Sequence, residues 1–419
     1  MTRLRLSLAV LVLGILSGVA YLARDFWQTQ PPIRVGILHS LTGPMAVSEK
    51  PMVDAALLAI EEINAAGGLL GRQVEALVVD GESDWPTFAR EAERLIEEED
   101  VVTIFGCWTS ACRKTVRPVF ERLDHLLIYG MAYEGLEDSS NIIYTGAAPN
   151  QQVLPALQWA LANLGKRVFL IGSDYVWPHA INAIMKDQME IQGATLVGEA
   201  YVPFGSTDLD AMVQEIQRAK PDVVFSGVVG DSNEAFYAAL QAAGIRPETL
   251  PVVSFSIGES ELEAMQVANV AGHYVAWNYF QSLPGAVNED FVKRFRARYG
   301  EARTTSDVVE ASWFGVKLWA QAVQEAGGAE TGRIRSAILR QSVEAPEGVV
   351  SVDRDTQHVW RPVSIGRVAP SGQIEIVWSA ARPIRPVPYP KTRTPEAWEA
   401  FLADLYAQWG GQWANPRTR

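Results

Sequence analysis

The stretch GCWTSACRKTV (residues 106–116), followed by LLIYGMAYEG (126–135) and YTGAAPNQQ (144–152), decides how this chain folds. Each piece follows a short apolar run and leads toward a run with helical spacing. In open α/β proteins, residues just past the carboxyl ends of parallel strands line the cleft. The three pieces carry hydroxyls, aromatics and glycines. They contain no Ser/His/Asp set, no metal-spaced cluster and no phosphate loop. That composition suits holding a small polar molecule rather than transforming one, and no catalytic residue is expected.

Working outward, strand-like and helix-like runs alternate. Strands are expected at 33–38, 74–80, 101–106, 126–129 and 142–145, with helices at 51–66 and 85–99. Val53, Ala56, Leu57, Ile60 and Ile63 give the first helix its period,, and Gly67-Gly68 stops it. The pattern restarts with strands at 167–172, 196–202, 222–228 and 252–256 and helices at 178–192, 208–219 and up to 243. Near-continuous Val/Ile/Leu strands alternating with helices argue for parallel sheets covered on both faces. Two rounds argue for two doubly wound lobes. Helices at 289–299 and 307–326 come next, then strands at 349–352, 363–368 and 373–378. The proline-rich segment RPIRPVPYPKTRTP reads as extended, and 396–409 as a short amphipathic helix.

The chain has 419 residues, enough for two cores,. At 48% hydrophobic and 20% charged it has the composition of a globular protein,. The formal net charge is -13. No basic patch stands out, so nucleic acid is not an expected partner. Arg3 and Arg5 precede an apolar run, 6–23, the pattern of a secretory signal,. The run is long for a cleaved signal, so an uncleaved membrane anchor is the alternative. Either way the chain is expected to be exported, and 25–32 reads as a tether. The two cysteines, Cys107 and Cys112, are five residues apart across a strand-to-helix turn. Export permits a disulfide, which needs favourable geometry; two part-buried thiols are the other reading. The five histidines are scattered, so no metal site and no cofactor are expected,.

A neutral amide or urea sets definite requirements: donors for its carbonyl, acceptors for its NH2 groups, flat walls for its faces. Thr109 and Ser110 offer hydroxyls at a helix N-terminus, where backbone N–H groups are also free. Trp108, Tyr129, Tyr133 and Tyr175 offer walls and phenols; Asp231 and Glu259 offer acceptors. Each has a plainer reading. Ser110 and Asp231 suit helix caps, Trp108 and Tyr175 suit the core, and Glu134 and Glu259 suit a solvated or lobe-bridging place. His39 reads as a hydrogen-bonded structural residue.

VGILHSLTGPMAVSE (35–49), VVDGESDWP (78–86), FGCWTSACRK (105–114), YEG (133–135), YTGAAPNQQ, GSDYVWP (172–178), FSIGE (255–259) and AWNYF (276–280) occur in that order. Together they resemble the periplasmic substrate-binding proteins of urea and short-chain amide ABC transporters, of the type I periplasmic binding-protein fold. The resemblance runs from about residue 33 to about 390. It implies two α/β lobes joined by three crossing strands, near 147–150, 277–280 and 349–355. One lobe then holds 33–147 and 281–350; the other, with the hinge, holds 148–280 and 351–390. Residues 1–24 are signal or anchor, and 391–419 a tail. The family's small-amide hydroxyl falls on Ser110, with Trp108 beside it. Tyr129 and Tyr133 match the aromatics of the Y-P-x-x-Y-E-G motif, and Tyr175 that of S-D-Y. Asp231, Ser256 and Glu259 match urea-type members. Gly130 stands where the family has proline, and Met131 fills the middle of the motif, which opens the pocket to a larger or less polar amide. The implied role is capture of urea or a short amide for an ABC permease. The alternatives are a ligand sensor for a signalling partner and a branched-chain amino-acid binder.

Overall fold

The computed structural model describes residues 31–416. The N-terminal apolar run lies outside the described residues. Within them, no helix is long and apolar enough to cross a membrane.

The elements run β1 (Ile33–His39), α1 (Ala46–Ala65), β2 (Val74–Asp80), α2 (Trp85–Glu97), β3 (Ile104–Gly106), α3 (Ser110–Arg122), β4 (Leu127–Tyr129), β5 (Ile142–Tyr144), α4 (Val153–Asn163), β6 (Arg167–Ser173), α5 (Val176–Gln192), β7 (Thr195–Val202), α6 (Asp210–Ala219), β8 (Val223–Gly227), α7 (Ser232–Ala242) and β9 (Val252–Ser254). The chain continues through α8 (Glu259–Leu262), α9 (Val267–Val270), β10 (Tyr274–Trp277), α10 (Ala286–Tyr299), α11 (Asp307–Ala326), α12 (Thr331–Ile338), β11 (Ser342–Ala345), β12 (Gly348–Val352), β13 (Val359–Trp360), β14 (Ser364–Val368), β15 (Ile374–Ser379) and α13 (Pro395–Gln408).

The first lobe is built on a parallel sheet of order β2-β1-β3-β4-β5. β3, β4 and β5 are wholly buried, as strands covered on both faces must be,. The second lobe holds a seven-stranded sheet, β15-β14-β10-β9-β8-β6-β7. Its strands run parallel from β7 to β10, and the edge pair β14 and β15 antiparallel. The doubly wound α/β architecture expected from the alternation is therefore present.

Local chemistry sets the helix starts. Asp84 caps α2 by accepting from the Thr87 N–H at 3.0 Å,. Thr109, not Ser110, caps α3, accepting from the Cys112 N–H at 3.1 Å. α1 begins at Ala46 rather than at Pro51; the proline lies inside and forgoes one backbone bond,. Asp231 occupies the cap position of α7, but its carboxylate makes no capping bond.

The chain leaves the first sheet after Tyr144, and after Trp277 it runs on to α11, which packs on α1, β3 and β4. Residues 348–352 pair antiparallel with β11 in a three-stranded sheet, β11-β12-β13. The chain passes to the second sheet between Trp360 and Ser364, so Arg361 sits in the crossing. The apolar 349–352 run signals a strand but not the hairpin that holds it.

Side chains knit the three crossings. Gln151 Nε2 donates to Val359 O at 2.9 Å, and Asn278 Nδ2 to Gln151 O at 2.9 Å. Arg361, fully buried, pairs with Asp307 at 3.0 Å, Glu310 at 2.8 Å and Glu347. Its Nη1 also donates to Thr145 O at 3.3 Å. Asp307 in turn accepts from the N–H groups of Asn278 and Tyr279, each at 3.0 Å.

Candidate functional site

The loops at the carboxyl ends of β1, β3, β4, β6, β8 and β9 converge between the lobes, where open α/β folds bind ligands,. The lobes are closed on each other. One buried apolar cluster runs from Leu38, Trp108 and Tyr129 to Tyr175, Val228 and Phe255. Trp85 of the first lobe lies 5.4 Å from Phe204 of the second, edge to face. The Asp231 N–H donates to Pro44 O at 3.3 Å.

The first-lobe wall begins at Cys107, a non-glycine residue in the left-handed region at φ 62. That conformation turns the chain sharply out of β3. Cys107 is joined to Cys112 by a disulfide, Cα to Cα 5.7 Å, so the thiol reading of this pair does not hold. The bond ties the loop to the first turn of α3. Thr109 Oγ1 also accepts from Trp85 Nε1 at 3.0 Å. Trp108 is buried; its carbonyl accepts from the Tyr129 hydroxyl at 2.7 Å, and its indole Nε1 has no partner among the described residues.

Ser110 donates to Glu134 and accepts from Arg113 Nη1 at 3.2 Å. Arg113 is wholly buried. It pairs with Glu134 and Glu137, each at 2.9 Å, and lies 4.2 Å from the ring centre of Tyr133 and 4.8 Å from that of Tyr129. Glu134 is thus neither solvated nor lobe-bridging. Burial opposes ionisation of Glu137, but Arg113, Lys114 and Arg117 outweigh it and hold its carboxyl well below the usual range,. Tyr133 stacks on Tyr144 at 5.0 Å, and its hydroxyl bonds His358 Nε2. Met131 is buried in the same cluster. The hydroxyls of Ser110, Tyr129 and Tyr133 are therefore committed to the protein in the closed state.

Across the cleft, Tyr175 packs 6.5 Å from Trp85 and 5.6 Å from Phe204. Its loop is held by residues far along the chain: the Val176 N–H donates to Trp413 O at 2.9 Å, and the Asn415 N–H to Asp174 O at 3.1 Å. Ser256 is buried and donates to Val228 O.

A cavity of about 270 Å³ opens between Val47 of α1 and the second-lobe residues Asp231, Asn233, Glu234 and Glu261. Glu261 is buried, beside Ser48, and accepts from the Gly258 N–H at 2.9 Å. Burial pushes its carboxyl up to about 7,. Asn233 Oδ1 is buried without a partner among the described residues. Glu259 stands apart from this cavity. It lines a different groove and accepts there from the Gln281 N–H at 2.7 Å. Both glutamates are in the sequence ESE. Only the direction in which a one-turn helix presents them separates the two, and the linear sequence does not carry it. Arg113 was signalled more faintly, three residues after Ser110 on the same face of α3. His39 takes the structural place expected of it: Nδ1 lies 3.0 Å from Glu49 Oε2.

A proton on Glu261 has a measurable consequence. Its folded pKa lies above the ordinary 4.5, so the stability it contributes is complete below that value and is lost as pH rises toward 7,. Glu259, pushed up to about 8 by burial, acts in the same direction. The ligand-free chain is expected to melt at a higher temperature at about pH 5 than at about pH 8. Glu261→Gln should narrow that difference in a calorimetric scan; an unchanged difference would remove Glu261 as its source.

The chain matches the periplasmic binding protein domain family over residues 33–395. It is 24% identical over 379 residues to Leu/Ile/Val-binding protein homolog 8 of Brucella suis, covering 82% of this chain and 88% of that one. Among solved structures it is similar to an R. palustris ABC-transporter solute-binding protein in complex with 4-hydroxybenzoate. There the TM-score is 0.78 and the identity 20%, over 84% of this chain and 98% of the other. It is also similar to a Streptococcus pneumoniae branched-chain amino acid transporter substrate-binding protein in complex with isoleucine, with TM-score 0.72 and 20% identity, over 83% and 99%. With a match from the first strand to the start of the last helix, the chain belongs to the periplasmic binding protein family.

Proposed function

We propose that this chain is the solute-binding subunit of an ABC transporter, and that its ligand is urea or a short amide. The lobes capture the ligand by closing and present it to a permease; the chain carries out no reaction. One observation carries the ligand assignment. Two polar groups that the interlobe cavity leaves available are acceptors, Asp231 and the partnerless Asn233 Oδ1. Among the described residues no cation lines that cavity, and the buried Arg113 is engaged by Glu134 and Glu137. A ligand rich in N–H donors and free of carboxylate meets those groups; a benzoate does not, because burying its charge without a free cation is costly.

The amino-acid reading rests on the similarity to the Leu/Ile/Val-binding homologues and to the isoleucine-bound structure. An α-ammonium would suit Glu261, with the carboxylate left to the N–H groups of the first turn of α3.

Thermal shift on the chain from Asp25 onward separates these readings, with urea, acetamide, butyramide, leucine and 4-hydroxybenzoate as ligands. A ligand specific for the folded state adds about 2.7 kcal/mol when present at roughly 100 times Kd. A rise with urea or an amide alone is expected. A rise with leucine or the benzoate alone would overturn the assignment.

A further inference from the structure

A second groove, of about 810 Å³, shares no lining residue with the interlobe cavity. One bank is α10 with residues 301–304, which come after the second crossing; the other is α8, Val267 of α9 and the turn at 371–373. Glu259 is part of its lining. The residue is 3% exposed, Oε1 accepts from the Gln281 N–H at 2.7 Å, and Oε2 is buried with no partner among the described residues. In the ionised form Oε2 is a buried acceptor left unmade, at a cost of roughly 1–3 kcal/mol that an occupant supplying the donor recovers.

The surroundings define the occupant. Glu263, Glu289 and Glu301 join Glu259 on the lining, against the cations Lys293 and Arg296. Glu263 is already used, accepting from the Thr304 N–H and lying 3.4 Å from Arg303. Arg296 is turned to the Arg303 carbonyl at 3.0 Å. Leu262, Leu283 and Val292 supply apolar flanks beside the carboxylates. An acidic groove with a buried free acceptor and aliphatic sides fits a cationic head on a hydrocarbon stem.

We propose that this groove is a second ligand site, specific for aliphatic primary amines, with the ammonium bonded to Glu259 Oε2 and the stem lying along Leu262, Leu283 and Val292. It shares no lining residue with the interlobe cavity. Because its two banks come from segments on either side of the hinge, an amine bound there touches both lobes.

Burial, with Glu261 and Asp307 adding repulsion, pushes the Glu259 carboxyl up to about 8. Ammonium binding near neutral pH therefore displaces the Glu259 proton to solvent, a signature that diffuse attraction by the exposed glutamates lacks. The test is titration calorimetry of the full chain with 1,4-diaminobutane, repeated in two buffers of different ionisation heat. The expected result is saturable binding with net proton release, weakened about tenfold or more by Glu259→Gln. Val292→Trp, which fills the groove and leaves Glu259 in place, should weaken binding as much. Equal affinity in the wild type and both variants, binding without proton release, or no binding at millimolar amine would each overturn the proposal. Magnesium chloride serves as the charge control: a response to it equal to that of the amine would reduce the groove to a nonspecific acidic surface and overturn the amine assignment.

Discussion

Arg361→Gln is expected to lower the unfolding free energy by about 3–5 kcal/mol, the effect of stranding buried charge when one partner is removed. Three carboxylates converge on this one guanidinium. Burial raises the carboxyl pKa values of Asp307, Glu310 and Glu347, and neighbouring carboxylates add to the rise of Glu310 and Glu347,. Glu310→Gln should therefore cost much less than Arg361→Gln, because it removes one of three carboxylates that repel one another, whereas Arg361→Gln removes the one cation they share,. Urea denaturation of both variants checks this, with the midpoint falling at an unchanged slope. Equal costs would mean that the account of the cluster is wrong. The position matters for function as well as stability. Arg361 lies in the third crossing, bonds Thr145 in the first, and orients Asp307, which receives two N–H groups of the second. A hinge that loses this node samples a wider range of lobe angles, and ligand affinity falls with the fraction of closed molecules.

The range of each interaction decides how much of the molecule is legible in its sequence. Strand and helix periods are local, so the alternating elements and the loops that carry Trp108, Ser110 and Tyr175 can be placed from sequence. Pairing is not local. The 349–352 run reads as a strand, but its antiparallel pairing with β11 is not visible in it. Ser110 reads as a hydroxyl at a helix start, whereas its partner Glu134 is 24 residues away. Glu259 and Glu261 differ by two positions and face different cavities. The disulfide between Cys107 and Cys112 stays open in the sequence because five residues across a turn bring two sulfurs together only in some backbone conformations,.

Trp398→Ala is expected to cost about 3–5 kcal/mol of local stability, the range for emptying a large buried aromatic site. Trp398 is wholly buried, and its Nε1 donates to Pro390 O at 2.9 Å. Arg393 lies 4.3 Å from its ring centre while bonding Asp187 of α5 twice, at 2.7 Å each. Leu402, Leu405 and Trp409 bury the same helix against the second lobe. The cost should therefore fall on α13 and the C-terminal segment after it, rather than on the two sheets. That segment contains Trp413 to Asn415, whose backbone bonds pin the loop of Tyr175. Lys114 of the first lobe lies 5.1 Å from the Trp413 ring centre, so the segment also touches the opposite wall. Releasing α13 frees the Tyr175 loop, and ordering that loop again opposes ligand binding. Hydrogen exchange should show faster exchange in residues 395–416 and 174–178 together, with β8 and β9 unchanged. Ligand affinity should fall in parallel. Faster exchange in α13 with a protected Tyr175 loop and undiminished affinity would show that the C-terminal helix is a stabilising appendage and no part of the binding site.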